Sequence, residues 1–174
     1  MFSSDSYRAD PDYIKIMAWT NKTVDKYNTL VRAHLFGTDI PPIIVGDKLV
    51  ANSPIKEGKQ ILVKNNEDME VVKVNVTDDV VGPEVNFQVY KAQVKVFGLA
   101  GESRECSIKI LHEDSAKEFN KTLLLLKGMA KLEKRGTFKA KSAWMDFYKF
   151  KERYADVKYG YAITCHKSQG STYD

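Results

Sequence analysis

Thr164, His166, Lys167, Ser168, Gln169, Ser171 and Thr172 crowd hydrogen-bonding groups around Gly170, at the end of the apolar run Tyr161-Ala-Ile-Thr-Cys165. Hydroxyls, an amide, an imidazole and an ammonium at the carboxyl end of a strand make a loop suited to gripping something charged, because open α/β sheets present ligands there. The alternative is a solvated turn leading into the next helix. A second candidate is Trp144, which has Lys139 and Lys141 as neighbours. An indole beside ammonium groups can stack a nucleic-acid base, or it can belong to the core of an aromatic-rich helix. Phe147 and Phe150, on the same segment, read as core.

The charge distribution narrows the choice of partner. The 174 residues carry a formal charge of +4, yet residues 121–153 hold ten Lys or Arg against three acids, so the remainder is slightly acidic. Such a block suits a polyanion, and equally a solvated helix face. At 43% hydrophobic residues, the chain can bury a core as one medium domain or two small ones. Cys106 and Cys165 lack metal or redox spacing, and neither a charged-then-apolar leader nor a run of membrane-spanning length is present. The expectation is a soluble, cytoplasmic chain with no membrane partner.

The elements that must position these groups follow from periodicity. Residues 1–12 are polar and expected to be flexible. Residues 13–20 read as a strand of a parallel sheet, followed by a helix capped by Thr20 or Asn21. Val24, Tyr27, Leu30, Val31 and Leu35 form the apolar stripe of that helix, and Gly37 lies past its end. From there the pattern changes to short strands at 43–51, 60–64, 69–77, 85–97 and 104–111, enough for a small barrel or sandwich. The apolar parity slips within 85–97, which predicts a bulge or bend near 90–93. Ser115-x-x-Glu118 reads as a capping box, after which Phe119, Leu123, Leu126, Met129 and Leu132 recur at helical spacing. Ser142 then caps a second helix over 143–154, and 157–165 is a strand again.

Two segments carry a family resemblance. Ala18-Trp-Thr-Asn-Lys-Thr-Val-Asp-Lys-Tyr-Asn28 resembles motif IV, and Tyr161-Ala-Ile-Thr-Cys-His-Lys-Ser-Gln-Gly-Ser-Thr172 resembles motif V, of superfamily 1B DNA helicases of the RecD and Dda type. Ser142-Ala-Trp-Met-Asp-Phe-Tyr148 is similar to the Dda helicases in particular, and Gly46-Asp-Lys-Leu-Val50 to the opening of Src-homology-3-like barrels. The resemblance implies an α/β plus β chain. Residues 13–40 and 156–174 would be part of a RecA-like domain 2A, an incomplete parallel sheet unit. It would be interrupted by a 2B domain with a Src-homology-3-like barrel at 41–112 and a helical part at 113–155. It further implies single-stranded DNA as partner, contacted by Thr20, Asn21, Lys22, Thr164, His166 and Lys167, with Trp144 and Tyr148 stacking bases. Gln169 and Gly170 would edge the nucleotide cleft, where glycine permits close backbone approach.

ATP and Mg2+ belong, on this reading, to a parent 5′-to-3′ helicase with a separate RecA-like domain 1A. Neither is expected on this chain, which has no Gly-x-x-x-x-Gly-Lys-Ser/Thr loop and no acidic pair after an apolar strand. The arginine motif would lie beyond Asp174. Replication or recombination proteins are further partners that such a helicase would meet, in a bacterial or phage-infected cell. The competing expectation is a free-standing small-barrel module that binds single-stranded nucleic acid or a peptide. It shares the basic block and Trp144, but leaves the two strand-loop ends without a use.

Overall fold

The computed structural model describes residues 14–81, 85–98 and 102–165. In chain order the elements are β1 (Ile16–Ala18), α1 (Asn21–Phe36), β2 (Lys48–Ala51), β3 (Ile55–Glu57), β4 (Gln60–Val63), β5 (Asp68–Val80), β6 (Asn86–Phe97) and β7 (Ser103–Leu111), then α2 (Glu113–Leu132), α3 (Phe138–Lys151), β8 (Val157–Tyr159) and β9 (Ala162–Thr164). Three sheets result: the parallel pair β1-β9, a five-stranded sheet in the order β7-β6-β5-β2-β8, and the hairpin β3-β4. These residues form two compact units. One comprises 14–74, 93–98, 102–106 and 156–165, the other 75–81, 85–92 and 107–155. Strands β5, β6 and β7 contribute residues to both.

In the first unit, α1 starts at Thr20, whose hydroxyl accepts the Thr23 amide at 3.2 Å, and ends at Gly37, whose positive φ of 93° lets its N–H reach the Ala33 carbonyl. The buried face differs from the expected stripe. Val24 and Val31 are buried as predicted, but Asn28 and Arg32 join them while Tyr27 and Leu30 face solvent. Two polar side chains displace two apolar ones because each finds a partner inside. Leu49, Val63, Met69, Val71, Val94 and Val96 are among the most deeply buried apolar residues of this unit, and Lys48 and Glu70, opposite each other on β2 and β5, form a 2.6 Å ion pair.

Three boundaries depart from the sequence pattern. The first strand of the sheet begins at Lys48, not residue 43, because the Asp47 carboxylate accepts the Ile44 amide at 2.8 Å and turns the chain there. The segment 54–59, which falls between two of the expected strands, contains β3 and the tip of its hairpin with β4. The run 157–165 is two strands: β8 pairs antiparallel with β2 and β9 pairs parallel with β1. The break falls at Gly160, where a Cβ would lie 3.0 Å from Val50 Cγ2, a tight contact that glycine avoids.

The second unit is built on aromatic packing. Phe87, fully buried on β6, meets Phe119, Phe150 and Tyr154 edge-on, with centroids 5.6, 6.0 and 6.2 Å away. Val89 and Tyr90 are both buried, so the in-out alternation of β6 slips at the start of the segment the sequence marks. The capping box is not used. Helix α2 begins at Glu113 with His112 as its cap, while the Ser115 hydroxyl accepts the Gln88 amide of β6 at 2.8 Å. The predicted stripe fails at the end of α2, where Ala130 is buried and Met129 and Leu132 are exposed. Helix α3 likewise starts earlier than expected, capped by Thr137 through the Ala140 amide, not by Ser142.

Asp79 is the polar centre of this unit. Its carboxylate accepts from Lys109 Nζ at 2.6 Å, Arg153 Nε at 2.9 Å and the Tyr154 hydroxyl at 2.9 Å. Burial pushes the carboxyl up, but the hydrogen bonds from Lys109, Tyr154 and Arg153 outweigh this and hold it below its ordinary 3.8. Burial and then the Asp79 hydrogen bond push the Tyr154 phenol up to about 12 from 10.0. A lowered carboxyl adds stability at pH above its unfolded value, and this is lost as pH falls below 3.8. A raised phenol adds stability below its unfolded value, lost as pH rises from 10.0 to about 12. Urea midpoints should therefore drop on both flanks, and Asp79→Asn should flatten the acid one. An Asp79→Asn protein with the wild-type acid slope would assign that slope to other carboxylates.

Candidate nucleic-acid interface

The parallel pair decides which predicted contacts meet. Ile16 lies opposite Ala162 and Ala18 opposite Thr164, so the carboxyl ends of β1 and β9 are level. Cys165 Sγ, one residue on, reaches the Ala18 carbonyl at 3.5 Å. Thr20, Asn21 and Lys22 continue from β1 and are exposed, and Thr164 is partly exposed. These four residues therefore share one end of the pair. Thr20 is the cap of α1 and Asn21 its first residue; the Thr20 hydroxyl already meets the Thr23 amide and, at 2.9 Å, the Thr23 hydroxyl, which leaves one of its three hydrogen-bonding positions. His166, Lys167, Gln169 and Gly170 lie outside the described residues.

The start of β9 is anchored by a set of buried polar groups that sequence reasoning missed. Asn28 Oδ1 accepts the Ala162 amide at 2.8 Å, which ties β9 to α1. One turn further along α1, Arg32 donates to both oxygens of Asp47, at 2.7 and 3.0 Å, and to the Pro41 carbonyl at 2.6 Å. The fully buried Tyr161 donates its hydroxyl to Asp47 at 3.1 Å and accepts the Lys48 amide at 3.2 Å. The Arg32 guanidinium also lies 4.9 Å above the Tyr159 ring. Burial by itself would lower the Arg32 pKa, but hydrogen bonding and the charge of Asp47 reverse this and raise it above its ordinary value. The network thus joins α1, the turn before β2 and the β8-β9 connection around one bidentate ion pair. The only signal in the sequence was a polar residue, then a second four positions later, on the inner side of an otherwise apolar helix.

Trp144 and Tyr148 belong to the second unit. Trp144 is half-buried, edge-on to the buried Phe147 at 5.6 Å and tilted against Tyr148 at 6.0 Å. Phe147 is buried and Phe150 stacks on Phe119 at 4.7 Å, so both are core as read. Tyr148 is 51% exposed. The two candidate stacking rings are therefore neighbours one turn apart on α3. Among the described residues no group of three His, Cys, Asp or Glu is placed to hold a metal ion, and no helix is long and apolar enough to cross a membrane. The sequence holds no Gly-x-x-x-x-Gly-Lys-Ser/Thr loop, and no catalytic step is assigned to the residues described.

The β domain with its helical extension is of the Src-homology-3-like class. The family model described as "Dda helicase SH3 domain" matches residues 41–159, and the chain belongs to that family. It is also similar to the "ATP-dependent DNA helicase dda" of Enterobacteria phage T4, with 30% identity over 173 residues, covering 92% of this chain and 38% of that protein. The chain thus spans well under half the length of this relative. The Dda-type resemblance drawn from the motif segments agrees with both matches.

Proposed function

We propose that this chain is a segment of an ATP-dependent 5′-to-3′ DNA helicase and contributes single-stranded DNA contacts within it. Residues 13–40 and 156–174 act as part of a RecA-like domain 2A. Residues 41–112 form the barrel of domain 2B and residues 113–155 its helical part. Thr20, Asn21, Lys22, Thr164, His166 and Lys167 take the DNA backbone, and Gln169 and Gly170 edge a nucleotide cleft completed by a domain 1A. ATP and Mg2+ are cofactors of the whole protein. One observation carries this reading: the pairing of Ala18 with Thr164, which sets the segments resembling motifs IV and V side by side at one sheet end. The helicase name of the phage T4 relative supports it.

The test is fluorescence anisotropy with a labelled oligothymidine. Binding should be weak and salt-sensitive, with a slope of log K against log salt of about −0.7 per phosphate neutralised. His166→Ala and Lys167→Ala should each lower affinity and leave the melting temperature unchanged. Unchanged affinity in both variants would remove the role assigned to the terminal stretch.

A further inference from the structure

Between the end of α2 and the start of α3 lies a cavity of about 680 Å³, within the roughly 300–1,000 Å³ of small-ligand clefts. Lys131, Glu133, Arg135, Phe138, Lys141 and Trp144 line it, together with the small buried side chains of Ala130 and Ala140. Three cations therefore face one acid, and among the described residues Lys131, Arg135 and Lys141 make no ion pair. Unneutralised cations beside an indole form a surface that binds anions carrying a flat apolar group. Phe138, 86% exposed, and Tyr148, tilted against Trp144, extend the aromatic surface.

We propose that this cavity is a subsite for single-stranded nucleic acid, with one base against Trp144, the next against Tyr148, and the phosphate between them together with one flanking phosphate on Arg135 and Lys141. This rests on the reading that the chain binds single-stranded DNA, and adds a second contact region to the one at the ends of β1 and β9. An acidic peptide would satisfy the cations as well. Two flat rings one helical turn apart favour successive bases, because every base offers a π-face and few peptide side chains do. Arg135 and Lys141 interact with the ligand through charge, so their effect must appear in the salt dependence.

The experiment uses the full chain carrying Trp19→Phe, which leaves Trp144 as the one emitting indole. Oligothymidine should quench that emission in parallel with the anisotropy change. The double variant Arg135→Gln/Lys141→Gln should weaken binding and make the salt slope shallower by about 1.4, for two phosphates lost. Trp144→Ala should weaken binding about 5- to 150-fold. Lys167→Ala should lower affinity yet retain the quench at saturation. If oligothymidine binds while Trp144 emission and the double-variant slope stay unchanged, the subsite is overturned and the reading of the β1-β9 end stands. If an acidic, aromatic peptide quenches Trp144 and oligothymidine does not, the cavity is a peptide groove. If the wild-type chain binds no oligothymidine, both proposals fall.

Discussion

Asp47→Ala is expected to lower the unfolding free energy by about 3–5 kcal/mol, the cost of removing one partner of a buried ion pair. The carboxylate is fully inaccessible and the Arg32 side chain only 10% exposed, so the guanidinium cannot turn to water once its partner is gone. The same change strips acceptors from the Ile44 amide and the Tyr161 hydroxyl. Its effect should therefore exceed that of Tyr161→Phe, which removes one hydroxyl and is expected to cost about 0.5–1.5 kcal/mol. Urea unfolding with a common m-value separates the two. A loss below about 1 kcal/mol for Asp47→Ala would mean that Arg32 is solvated as a surface pair is.

Phe87→Ala is expected to cost about 3–5 kcal/mol through a different mechanism, the loss of apolar burial plus the cavity left behind. Three rings abut Phe87 edge-on, and rings held from both α2 and the end of α3 cannot all move inward to fill the space. Leu132→Ala is the control, because Leu132 is 88% exposed and its truncation should fall within about 0.5 kcal/mol of wild type. Equal effects of the two substitutions on the urea midpoint would contradict the assignment of the core. A shortfall in Phe87→Ala alone would indicate that α2 settles onto β6.

Much of the fold was legible because it is written in spacing. The strand-helix start, the long strands β5 to β7 and the two later helices all follow from period-2 or period-3.6 apolar patterns. Helix starts were less legible, because caps compete. Ser115 has the sequence of a capping residue but is used by the Gln88 amide, and His112 caps instead. The split of 157–165 was hidden for a related reason: an apolar run does not show which of two sheets each residue joins, and that is set by the distant partners β2 and β1. For the interface, the residue types at Thr20, Asn21 and Thr164 could be read directly, but their register could not, since it depends on pairing between distant positions. The Arg32–Asp47–Tyr161 network was invisible because its members come from a helix face, a turn and the β8-β9 connection, and none is unusual in its own segment.

The pairing of β1 with β9 also sets an order of assembly. Residues 16 and 162 can meet in the unfolded chain only by closing a loop that holds nearly all the rest of it. Once β2 and β8 have paired, the chain between β1 and β9 is in effect about fourfold shorter, which lowers the closure cost by ~1 kcal/mol. The parallel pair should thus be the last element to close and the first to open, a latch whose closing waits on the pairing of β2 with β8.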